Sequence, residues 1–196
     1  MELQEKTPYS SDGYIVDQAR LTFIRYGALT SDLNGCGWIA AFNLLKQRGE
    51  TVSEQAYADE LIRWTILRGL AGTSLFRLKR MLKRHGYPTA LKIVGKKNVA
   101  LPEGTEAGVI YYVHKDGPHF VTFYCDETVP QQENEKPRYR FLNAIPGRGN
   151  HFDTMQGFLT KHNVLPIAGI LVYPRKASSS AGASRKSSSI GLSFSA

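Results

Sequence analysis

Between residues 37 and 48 the chain leaves almost no polar face: Ile39, Ala40, Ala41, Phe42, Leu44 and Leu45 fill successive turns. A helix that is apolar nearly all round belongs inside a core, and Gly49 stops it. Thr51-Val-Ser-Glu54 is a capping-box pattern that predicts a second helix to about Trp64. Thr73 or Ser74 then caps a third, with Leu75, Leu78 and Leu82 on one face and Gly86 at its end. From Thr89 the period shortens, and TALKIV, GVIYYVH, HFVTFYC, YRFLNA and AGILVYP are short β-rich runs divided by Pro, Gly and charged clusters. They predict a meandering antiparallel sheet. Between the last two runs, Asp153 or Thr154 caps one more helix through Phe158 and Leu159. Helices followed by strands predict an α+β fold, with a buried central helix packed on an antiparallel sheet.

A chain of 196 residues suits one domain. That domain is expected over residues 15–175, between a flexible N-terminus at 1–14 and a disordered Ser/Gly/Ala-rich tail at 176–196, too poor in large apolar residues to offset its ordering entropy. No apolar run approaches the roughly 20 residues that cross a bilayer, so no transmembrane segment is expected. The start MELQEKTPYSSDGY has no apolar h-region of a secretory signal, which makes the cytoplasm the expected location. Of the formal charge of +8, Arg175, Lys176, Arg185 and Lys186 near the C-terminus contribute four. The body is only mildly basic, and nucleic acid is not the expected partner. The stretch LFRLKRMLKRHG sets Arg77, Lys79, Arg80, Lys83 and Arg84 opposite a Leu stripe, which reads first as a solvated helix face. The PGRG stretch at Pro146 is weak as a phosphate loop.

The two cysteines, Cys36 and Cys125, lie far apart, and no CxxC or HxxxH spacing marks a zinc site. Neither a metal nor a cofactor is expected. Cys36 sits between Gly35 and Gly37 at the head of the buried helix, where the helix dipole and free N–H groups favour a thiolate. The glycines suggest close approach of a substrate backbone, and Trp38 is positioned to line the same cleft. A thiolate nucleophile needs a proton carrier, and that carrier needs an orienting group. Among the histidines at 85, 114, 119, 151 and 162, His119 opens a strand at the sheet's rim, and His114 across the turn is its nearest rival. YRFLN ends on Asn143, expected beside His119 with its amide holding the ring. The plainer alternative makes Cys36 a small core residue and His119 a polar strand end. Cys125, followed by Asp126 and Glu127, is in surroundings that raise a thiol pKa.

The segments GCGWIAAFNLL, TSLFRLKRMLKRHGYPTALKI, GVIYYVHKDGPHFVTFY, YRFLNAIPG and FDTMQGFL, within residues 25 to 173, resemble the papain-like cysteine peptidases of the C39 type, which cleave double-glycine leader peptides. The resemblance implies a papain-like fold, a peptide or protein substrate, and a catalytic set of Cys36, His119 and Asn143. Gly35 precedes the cysteine where that family usually has Asp or Asn, and Trp38-Ile39 replaces its Pro-Ala or Pro-Thr. Thr30 stands where the oxyanion-hole glutamine is expected, which leaves Asn34 and the Cys36 N–H as the implied donors. The expected activity is peptide hydrolysis; the alternative is an inactive papain-like module that binds a peptide or regulates a partner. Oligomeric state is not legible in the sequence.

Overall fold

The computed structural model describes residues 7–51, 53–63, 70, 72–93, 101–102, 105–126, 136–144, 149–161 and 165–173. The chain opens with a single 3₁₀ turn, Gln18–Arg20, whose N-cap Asp17 accepts a hydrogen bond from Ala19 N–H. A short hairpin of β1 (Arg25–Tyr26) and β2 (Leu29–Thr30) follows. The helical block is α1 (Ser31–Asn34), α2 (Cys36–Gln47), α3 (Glu54–Ile62) and α4 (Leu75–Arg84). Then come β3 (Thr89–Ile93), β4 (Ala107–His114), β5 (Gly117–Cys125), β6 (Arg138–Leu142), β7 (Asn150–Thr154), α5 (Met155–Lys161) and β8 (Leu165–Val172).

Mixed helix and antiparallel sheet is the α+β arrangement expected, and α2 is its buried centre, with every residue from Gly37 to Leu45 inside. The cap of α3 differs from the capping-box reading: the Ser53 hydroxyl, not Thr51, accepts from the Ala56 N–H at 3.3 Å. Trp64, the expected end of that helix, lies outside the described residues.

The six-stranded sheet has the order β3-β8-β4-β5-β6-β7, and every ladder is antiparallel. The meander expected from the sequence holds only from β4 to β7. β8 instead returns to pair with both β3 and β4, because Ile170 and Val172 pack towards the α2 side while Leu171 packs on the opposite face. A strand buried on both faces is stable only inside a sheet. β7, unforeseen, is added at the far edge, with Phe152 opposite Arg140.

The sheet separates two cores. On one face Phe120, Tyr124, Val109 and Ile170 meet α2, α3 and α4. On the other, Val121, Phe123 and Phe141 meet α5, with Phe158 stacked on Phe141 at 4.0 Å. The Thr122 hydroxyl donates to the Ala40 carbonyl at 2.8 Å and pins α2 along β5. Residues 9 to 18 of the N-terminal segment pack on the body of the fold. Asn43 holds both backbone groups of Ile15 at 2.9 and 2.8 Å, Tyr14 packs on Tyr124, and Asp12 pairs with Arg140. Residues 1–6 and the expected tail at 176–196 lie outside the described residues.

One detail of register builds the site. The β5–β6 ladder stops at Thr122–Leu142, while β4 pairs with β5 as far back as Gly117. Asn143 turns away immediately after β6, with φ 60. Beyond that point β5 runs back to Gly117 outside the β5–β6 ladder, and the head of α2 brings Cys36 to the Phe120 N–H there.

Candidate active site at the head of the central helix

Cys36 is the first residue of α2, continuing from α1 through Gly35 in a helical conformation. Its sulfur faces backbone N–H groups of Phe120, Gly37 and Cys36 itself, which favour the thiolate. Burial of the sulfur nevertheless outweighs them and pushes the thiol above its ordinary value, although the residue as a whole is partly exposed. The direction is opposite to the depression expected from the helix N-terminus, because desolvating the charged sulfur disfavours the thiolate.

His119 is buried and lies opposite Tyr112, its ring edge-on at 5.7 Å on the α5 side of the sheet. Cys36 approaches β5 from the α2 side, beside the N–H of Phe120, the residue that follows His119. His119 Nε2 is 2.6 Å from the main-chain carbonyl of Asn143. A carbonyl only accepts, so Nε2 carries the proton and the lone pair of the neutral ring is on Nδ1. The expected side-chain amide contact is not the one made. Asn143 spends its amide on Gln18: the Gln18 N–H donates to Asn143 Oδ1 at 3.0 Å, and Asn143 Nδ2 donates to Gln18 Oε1 at 3.3 Å. Sequence reasoning missed Gln18, whose partner is 125 positions away; its one legible signal is a polar residue set just after Ile15-Val16.

Gly35, Gly37 and Trp38, the expected cleft residues, are all buried. A Cβ on Gly37 would lie 2.2 Å from Thr73 Oγ1, and one on Gly35 would lie 2.5 Å from the Ser31 carbonyl. Both glycines are packed against protein atoms. The Trp38 indole N–H is consumed by Ser31 Oγ at 3.0 Å. Asn34 directs its amide to the Tyr26 carbonyl at a long 3.5 Å, and the Tyr26 hydroxyl pairs with Thr73 Oγ1 at 2.8 Å. Tyr26 is close enough to Cys36 that a thiolate there raises its phenol pKa, after the larger effect of burial.

The other histidines are placed elsewhere. His114 closes on Asp116 within the β4–β5 turn at 3.2 Å, and His85 lies between Glu50 and Glu60 at 2.8 and 3.1 Å. His151 packs against Phe158 on the α5 side, and His162 is outside the described residues. Burial, then Glu106, pushes the Cys125 thiol up. Among the described residues no three His, Cys, Asp or Glu side chains gather as metal ligands. None of the described helices is long and apolar enough to cross a membrane. On α4, Leu78, Met81 and Leu82 face the core while Arg80, Lys83 and Arg84 are exposed, as a solvated face requires.

No protein-family model matches the sequence, and no curated protein matches it. In three dimensions the chain is similar to the peptidase domain of Streptococcus ComA, a bifunctional ABC transporter of a quorum-sensing pathway. The TM-score is 0.51 at 17% identity, over 72% of this chain and 93% of that domain. At this identity the likeness establishes a peptidase-like fold.

Proposed function

We propose that this chain is a papain-like cysteine peptidase of the C39 type, an amide hydrolase acting on a peptide through Cys36, His119 and Asn143. One observation carries the reading: the Cys36 sulfur lies against the N–H of Phe120, next in sequence to a histidine whose Nε2–H is held by the Asn143 carbonyl. The fold likeness to a peptidase domain supports a peptide as the substrate.

His119 Nδ1 takes the Cys36 proton as sulfur bonds to the scissile carbonyl carbon, and the carbonyl π pair moves onto oxygen. The Cys36 N–H and the Asn34 amide, whose present bond is long, are the proposed oxyanion donors. Collapse expels the amine, which receives the proton from imidazolium and leaves a thioester. Water, deprotonated by His119, attacks that thioester; acid and free thiol are released. No metal or cofactor takes part in these steps.

The test is mass-spectrometric detection of cleavage in a mixed peptide library, alongside alkylation of Cys36 by iodoacetamide. Cleavage by the parent protein and its loss by at least about a thousandfold in both Cys36→Ala and His119→Ala are expected. Undiminished cleavage in Cys36→Ala removes the proposal.

The second reading, a papain-like module that binds a peptide or regulates a partner without cleaving it, has support of its own: the thiol is pushed up, and the space around both glycines is filled. Peptide capture without turnover, unchanged in Cys36→Ala, identifies that case.

A further inference from the structure

Gln18 is buried and makes three hydrogen bonds to Asn143 and Asp32. Its N–H and Oε1 form the reciprocal pair with the Asn143 side chain, and its Nε2 donates to the Asp32 carbonyl at 3.2 Å. Asp32 belongs to α1, the turn that runs directly into Cys36. Asn143 belongs to the end of β6 and presents its carbonyl to His119. One side chain therefore bridges the segment that carries the thiol and the segment that holds the ring, although neither segment is adjacent to it in sequence.

We infer that Gln18 is a positioning residue for His119: it acts through Asn143 and fixes the base half of the site against the thiol half. The chemistry requires such a part. Asn143 stands at φ 60, left-handed backbone that asparagine visits more readily than other non-glycine residues but that neighbours still have to hold in place. Its two bonds to Gln18 supply that hold and aim the carbonyl. The Gln18 backbone is itself steadied by the Asp17 cap and the Asp17–Arg20 ion pair at 3.0 Å. The role rests on Cys36 and His119 being the nucleophile and base, but its readout does not.

The experiment uses the full chain with isotope-labelled histidine. NMR of the ring nitrogens reports the His119 tautomer, and iodoacetamide reports Cys36 reactivity against pH. The parent protein is expected in the Nε2–H form. Gln18→Met keeps length and removes side-chain hydrogen bonding; a mixture of tautomers and a five- to tenfold slower alkylation are expected, roughly the worth of one or two buried hydrogen bonds. Gln18→Glu keeps an acceptor for Asn143 Nδ2 and loses the donor to Asp32, so it should fall between the two; it also carries the test if Gln18→Met does not fold. A folded variant with the parental tautomer ratio and pH profile overturns the inference, even if its melting temperature falls. A tautomer shift in a protein that never cleaves peptide supports the positioning role while the peptidase reading fails.

Discussion

The carbonyl oxygen of Asn143, rather than its side-chain amide, receives the Nε2–H of His119 at 2.6 Å. What orients the ring is therefore a backbone conformation, and the side chain of Asn143 matters for keeping that conformation. Glycine adopts φ 60 without a Cβ penalty, whereas alanine there costs about 1–2 kcal/mol. Asn143→Gly should accordingly keep more of the parental Nε2–H tautomer and Cys36 alkylation rate than Asn143→Ala. Equal losses in the two variants would return the orienting role to the amide.

The pair Gly37 and Thr73 makes a stability prediction. Gly37→Ala places a methyl 2.2 Å from Thr73 Oγ1 and 2.3 Å from its Cβ. Such overpacking typically costs 1–3 kcal/mol, about what denaturant unfolding of Gly37→Ala should show. Adding Thr73→Gly clears both atoms, so the double variant should be less destabilised than the two single costs together. Additive costs would mean that the two residues do not meet.

Alkaline pH should act on both reactivity and stability. Because burial lifts the Cys36 thiol, alkylation should continue to rise past the ordinary thiol pKa of about 8.5 instead of reaching a plateau near neutrality. The same sign applies to folding: the unfolded chain loses these protons first, so stability falls as pH climbs above the ordinary thiol range. Tyr139, pushed up to about 12 by burial, adds to the fall at higher pH. Denaturant unfolding as a function of pH, with Cys36→Ala flattening the lower part of the decline, measures it.

At the acid end the Arg140 guanidinium, with help from the Ser10 hydroxyl, holds Asp12 down to about 2. A depressed carboxyl stabilises the fold above its unfolded value, about 3.9, and that contribution is lost as pH falls through the folded value. Between those limits Asp12→Asn should unfold with a shallower pH slope than the parent. An unchanged slope would show that the pairing of Asp12 with Arg140, a bond from the docked N-terminal segment to β6, contributes no pH dependence.

The elements were largely legible. Residues 37 to 48 declare a buried helix because no polar face is left, and GVIYYVH and HFVTFYC declare strands because β-branched and aromatic residues crowd short runs. β8 was legible as a strand but not as a neighbour of β3, since apolar content reports burial and says nothing about which edge it pairs with. β7 and Ser53 were missed for the opposite reason: NHFDT has no strong period, and several hydroxyls near Glu54 qualify as a cap until the backbone selects one.

The site divides in the same way. Sequence alone placed Cys36 at the head of a buried helix, His119 at the opening of a strand and Asn143 at the end of another, because each of those positions is local. Tertiary structure decided what each does with its hydrogen-bonding groups: the Asn143 amide goes to Gln18, its carbonyl to His119, and the space beside both glycines to Thr73, Ser31 and Trp38. Local pattern can say where a side chain starts. Which partner saturates a buried donor, and whether a glycine makes room for ligand or for protein, depends on segments brought together from 125 residues apart.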